Sequence, residues 1–169
     1  MKKYLLPILA AVLIVVAAVV IFAVPKGNTR TAESLSSDAP GYVRRTGDGN
    51  VIISADDLDQ GRLTVLKYSE DSRIELIATL DAEGNVRAAL GTCQSCMGSP
   101  GAYYTQNGEL LQCNNCGLTF PMSVIGVSGA GCHPIMIDEA AISRGADGLV
   151  IDDAAISPYE PLFATVAAH

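Results

Sequence analysis

The chain has 169 residues, is 49% apolar and carries a formal charge of −7, which leaves room for one domain plus an anchor or tail. All 18 acidic residues lie after residue 30, and no Lys/Arg cluster of the kind a phosphate backbone requires is present, so nucleic acid is excluded as a partner. Trp is absent and only three Phe occur, which excludes a large aromatic pocket.

Lys2 and Lys3 precede 20 uncharged residues, Leu5 to Val24. At about 1.5 Å rise per residue these cover the roughly 30 Å hydrocarbon layer, so they predict one transmembrane helix. Pro7 falls in its first turn, where a missing N–H costs least. No small-x-small cleavage site precedes Pro25, which favours a retained span over a cleaved signal peptide. The basic residues place the N-terminus inside and the rest of the chain outside a single-pass membrane protein. The organisation expected is a membrane anchor at 1–24, a Gly/Ser/Pro-containing flexible linker at 25–48, a metal-binding β domain at 49–153 and a C-terminal tail at 154–169.

Val51–Ile53 predicts a short strand, and Asp56–Gly61 a turn or short helix. Leu63–Tyr68 and Arg73–Leu80 have strand character, with Ile74 and Leu76 on one buried face. Asp81–Asn85 predicts a tight turn in which Gly84 takes positive φ. Val86–Leu90 then forms a strand that leads into the cysteines. The fold class expected is mainly β: a small antiparallel β domain with rubredoxin/zinc-ribbon-like cysteine hairpins, preceded by the one transmembrane helix.

All five cysteines lie between Cys93 and Cys132. Cys93 and Cys96 form one C-x-x-C pair, and Cys113 and Cys116 a second, followed by Gly117. Between the pairs, Asn107-Gly108 signals a hairpin turn that brings the second pair back beside the first. Two such pairs can close four thiolates around one metal ion or cluster. A glycine after the second pair lets backbone N–H groups fold toward the sulfurs. Two disulfides are the structural alternative in a compartment that permits them. Cys132 follows a flexible Gly126–Gly131 approach and is a fifth candidate ligand, either in the cage or in a separate Cys132-His133-Pro134 element. His133, Met97 and Met122 are further candidate ligands. Set against these, a histidine is commonly solvent-facing or hydrogen-bonded, and Met is the usual filler of small cores. Thiolates alone admit an iron–sulfur cluster or iron, with zinc and copper as alternatives.

Downstream, Ile135–Ile137 predicts a strand, Asp138–Ile142 a helical turn and Gly148–Ile151 a closing strand. Asp152 and Asp153 read as turn or surface residues, and 154–169 as peripheral. No catalytic triad, phosphate loop or repeat is found.

Residues 51 to 151 resemble the membrane iron–sulfur-containing, FtrD-like family associated with bacterial iron-uptake operons. The resemblance rests on Asp59–Leu63, Val86–Leu90, Cys93-x-x-Cys96, Gly101–Tyr104, Cys113–Gly117, Phe120-Pro121, Ile125-Gly126, Gly131-Cys132 and Pro134-Ile135. His133 stands where the family more often has Asn. The family often carries several additional spans, and this chain has one. The resemblance implies the cytoplasmic membrane of a bacterium, an iron–sulfur or other redox metal centre, and an iron permease or redox membrane complex as partner. The function expected is that of a metal-binding protein with an electron-transfer or accessory role in iron transport rather than an enzyme. The alternatives are a copper- or iron-binding accessory protein without redox turnover and a structural zinc module that binds protein.

Overall fold

Short runs, the central ones apolar, build eleven strands among the described residues, β1 to β11 in chain order. The computed structural model describes residues 41–145 and 147–167. The expected membrane span and residues 25–40 of the expected linker lie outside them. Among the described residues no helix is long and apolar enough to cross a membrane.

Three sheets form, and every ladder between named strands is antiparallel. The first orders β1 (Arg44–Arg45), β2 (Val51–Ser54), β11 (Gly148–Ile151) and β10 (Ile142–Gly145). The second orders β3 (Thr64–Lys67), β4 (Glu75–Leu80), β5 (Val86–Cys93) and β9 (Pro134–Ile135). The third is β6 (Tyr104–Asn107), β7 (Leu110–Cys113) and β8 (Thr119–Pro121).

The middle strands are buried on both faces, and strand alternation assigns the faces. Leu76 and Ala78 of β4 join Val86, Ala88 and Leu90 of β5 in a core shared with Val51, Ile53, Leu149 and Ile151 of the first sheet. Ile77 and Ala89 point the other way, into a second core with Tyr104, Leu111, Met122, Ile125, Cys93 and Cys113. Cys93 is thus carried on the Ala89 face of β5, toward the third sheet. The ladder between β5 and β9 shifts register between Leu90 and Cys93, and such irregularities re-aim side chains at the end of a strand.

Two segments depart from the expected boundaries. Residues 41–48, assigned to the linker, belong to the domain. Val43 is buried, Lys67 N donates to Gly41 O at 2.7 Å, and β1 pairs with β2. An edge strand of two arginines carries no apolar alternation to reveal it. Residues 154–167, assigned to the tail, hold Ile156, Phe163 and Val166 in the first core. A single helical turn, Glu160–Phe163, docks there. Glu160 accepts from the Ser72 hydroxyl, and Arg73 Nη1 donates to Ala164 O at 2.8 Å. Proline at 158 and 161 obscures the periodicity of this stretch.

Candidate metal centre

Two loops of similar build present the paired cysteines. In the first, Cys93 ends β5, and the backbone amides of Ser95 and Cys96 donate to its sulfur. In the second, Cys113 ends β7, and the amides of Asn115 and Cys116 donate to its sulfur, with a further donation from Leu118 to Cys116. Gly117 sits at φ +75°, which allows the chain to fold back on Cys113, and its N–H donates to Cys113 O at 2.8 Å.

The loops are held to each other. A β-bridge joins Thr92 to Tyr103, and Tyr104 pairs with Cys113 in the third sheet. A side chain at Gly101 would meet Asn115 Cα at 3.1 Å, and Ser99 Oγ donates to Asn115 Oδ1 at 2.5 Å. Cys132 arrives on a third arm. Gly126, at φ +70°, passes so close to β5 that a Cβ would lie 2.8 Å from Ala88 O. Beyond it, Gln94 N donates to His133 O at 3.0 Å, and the buried Tyr104 hydroxyl donates to Cys132 O at 2.5 Å.

The sulfurs converge. Cys113 and Cys96 are 3.9 Å apart, Cys96 and Cys132 4.0 Å, and Cys116 and Cys132 3.3 Å. Cys93, Cys96 and Cys132 lie within 4.8 Å of one another, as do Cys96, Cys113 and Cys116. Cys132 is therefore part of the cluster and not a separate element. No cysteine is in a disulfide; Cys93 and Cys113 are buried, Cys96 and Cys132 half-buried, and Cys116 exposed. Metal–sulfur bonds of about 2.3 Å in a tetrahedron set an S···S edge of about 3.8 Å. The observed spacings straddle that edge, and the donor set is all thiol, so the residues fit a thiophilic metal.

The electrostatics are uneven. Burial pushes the Cys93 thiol up, but the hydroxyl of Tyr104 and the amides of Cys96 and Ser95 outweigh it and hold the group below the usual thiol range. Cys113 is pushed up to about 12, chiefly by burial. The Leu118 amide and the neighbouring Cys132 thiol hold Cys116 low, whereas Cys132 is raised by that same pairing and by burial. A metal that takes the raised thiols must displace their protons.

The other candidates take different places. His133 belongs to neither sulfur group. Its ring stands edge-on to Phe120 at 5.3 Å, and its buried Nδ1 faces Gly129, where a Cβ would come within 2.0 Å of it. Met97 is 45% exposed on the loop after Cys96, and Met122 is buried in the second core. Sequence reasoning missed Tyr104 and Gly129. The available signal for Tyr104 was that a buried phenol needs a hydrogen-bond partner, and that a cysteine pair stands on either side of it in the sequence.

An antiparallel all-β domain that gathers five thiols at the meeting of two sheets is, as a class, a small thiolate metal-binding domain. Residues 58–163 match the family described as membrane iron-sulfur containing protein FtrD-like, and the chain belongs to that family. No curated protein and no solved structure matches the chain.

Proposed function

We propose that this protein holds iron, as an iron–sulfur cluster or as iron itself, on Cys93, Cys96, Cys113, Cys116 and Cys132. It serves as an electron-transfer or accessory component of a membrane iron-transport system. The observation that carries the reading is the convergence of five sulfurs from three separate chain segments, with spacings of 3.3–4.0 Å where pairs approach most closely. When bound, iron on thiolates supplies one-electron exchange whose potential follows cluster charge, hydrogen bonds to sulfur and exposure.

This chain's residues fit that task. The amides of Ser95, Cys96, Asn115, Cys116 and Leu118 stabilise negative charge on sulfur. Cys93 and Cys113 are closed off from solvent, while Cys116 is exposed and offers an edge for contact with a partner. The uncharged run from Leu5 to Val24 tethers the domain at the outer face of a bacterial cytoplasmic membrane, beside an iron permease or redox membrane complex. The role in this reading is that of a carrier rather than an enzyme. A structural zinc site draws on the same sulfur spacings and is the competing reading.

Anaerobic purification of the full chain from membranes, followed by metal analysis and visible absorption, separates the two. Iron with thiolate charge-transfer bands is expected. A colourless protein with stoichiometric zinc overturns the proposal.

A further inference from the structure

We infer that the five cysteines form a two-metal centre in which the Cys96 sulfur is shared. The inference rests on the reading of these residues as metal ligands, but not on the metal being iron.

Cys96 is the geometric hub. It belongs to the group with Cys93 and Cys132 and to the group with Cys113 and Cys116, so its sulfur lies within 4.8 Å of each of the other four. A single tetrahedral ion takes four thiolates and leaves one over. Here the fifth is not left outside: Cys132 lies 4.0 Å from Cys96 and 3.3 Å from Cys116. Two ions divide the set evenly. One takes Cys93, Cys132 and Cys96; the other takes Cys113, Cys116 and Cys96. Thiolate sulfur carries spare lone pairs and so can serve two soft or borderline cations at once.

Charge points the same way. Between Arg87 and Asp138 the only charged side chain is Glu109. The segment that holds the five thiols therefore supplies no Lys or Arg to balance them. Five thiolates around one divalent ion leave three negative charges, whereas around two they leave one. In a half-buried cluster an uncompensated charge is costly. Each thiol that ligates gives its proton to solvent, and no oxidant or reductant is needed.

The chemical class of the occupant is a pair of thiophilic cations, and cadmium is a suitable probe because it favours thiolate and has spin-active isotopes. The full chain in detergent, stripped of metal under anaerobic conditions, is titrated with cadmium. It is followed by native mass spectrometry and by cadmium NMR. The expected result is two ions per chain and two resonances split by mutual coupling through the shared sulfur. In Cys96→Ser the coupling disappears and the count falls from two to one. In Cys132→Ser the coupling persists, because only a terminal ligand is lost.

One ion per chain, or two ions without coupling, overturns the shared-sulfur centre, and these wild-type readouts stand even if a variant fails to fold. Two coupled cadmium ions in a protein that purifies without iron leave this inference intact and remove the iron reading. No cadmium binding at all overturns both.

Discussion

Tyr104 shows how one side chain ties the three arms of the centre together. Its side chain is 1% exposed within the second core, its hydroxyl donates to Cys132 O at 2.5 Å, and the same hydroxyl interacts with the Cys93 sulfur. Tyr104→Phe keeps the ring and removes the hydroxyl. A loss of about 1 kcal/mol of stability is expected in denaturant titration, together with weaker metal retention against a competing chelator as the Cys132 arm loosens. Outside the cysteine loops, Asp153 accepts from the Tyr68 hydroxyl and from Arg45 at 2.6 Å, while Arg45 lies 4.5 Å over the Tyr68 ring. Burial raises the carboxyl, but the hydrogen bonds from Tyr68 and Arg45 prevail and hold it below the usual carboxylate range. A group depressed in the folded state contributes stability above its unfolded value, near pH 4. That contribution is lost as pH falls through the lower folded value. Asp153→Asn is therefore expected to be less stable than the parent at neutral pH, with the gap closing below about pH 4. Denaturant midpoints across a pH series test this. The cysteines were legible in sequence because their spacing is local and their chemistry narrow. Tyr104 and Asp153 were not, because their partners lie 28 and 85 residues away and exist only once the sheets pair.

Turns decide where the elements meet the site. The Asn107-Gly108 signal located the third sheet's hairpin, but the closing pair is Asn107 with Leu110, so Gly108 and Glu109 occupy the turn. Only Gly108 has positive φ there, at +62°, as a turn with glycine at its first central position requires. Gly84 and Gly126 form an instructive pair. Gly84 has φ +82° with open space around it, whereas Gly126 has φ +70° and the Ala88 carbonyl where a side chain would go. Gly84→Ala is expected to cost about 1–2 kcal/mol from backbone conformation alone. Gly126→Ala adds a steric clash, costs more in thermal melts, and shifts the arm that delivers Cys132. The turn at 81–85 was readable because its residues explain it. The demand on Gly126 comes from a strand 38 residues earlier, so the sequence shows the glycine without its reason.

Across the whole molecule, the ends of the described chain hold the centre of the fold. Strand 51–54 pairs with 148–151, and Phe163 fills the core between the first two sheets at 1% exposure. Phe163→Ala is expected to cost about 3–5 kcal/mol, read as a fall in denaturant midpoint. A chain ending at 153 is expected to lose cooperative unfolding, since Ile156, Phe163 and Val166 leave the core together. The strands that alternate cleanly were legible, but the edge strand at 44–45 and the proline-punctuated closing segment were not. Both are fixed by what they pack against rather than by their own pattern.

The bond from Ala167 N to Pro100 O, 2.9 Å long, fastens the closing segment to the loop that follows the first cysteine pair. This makes assembly a matter of timing. A ribosome delivers all five thiols before it delivers β10, β11 or Phe163. At roughly 5–20 residues per second, the stretch between Cys132 and Ala167 takes a few seconds to emerge. During that interval the full ligand set exists without the sheet that encloses its supporting core, open to ions and to oxidants from every side. The moment at which that core closes is set by residues downstream of Cys132, none of those that close it a cysteine.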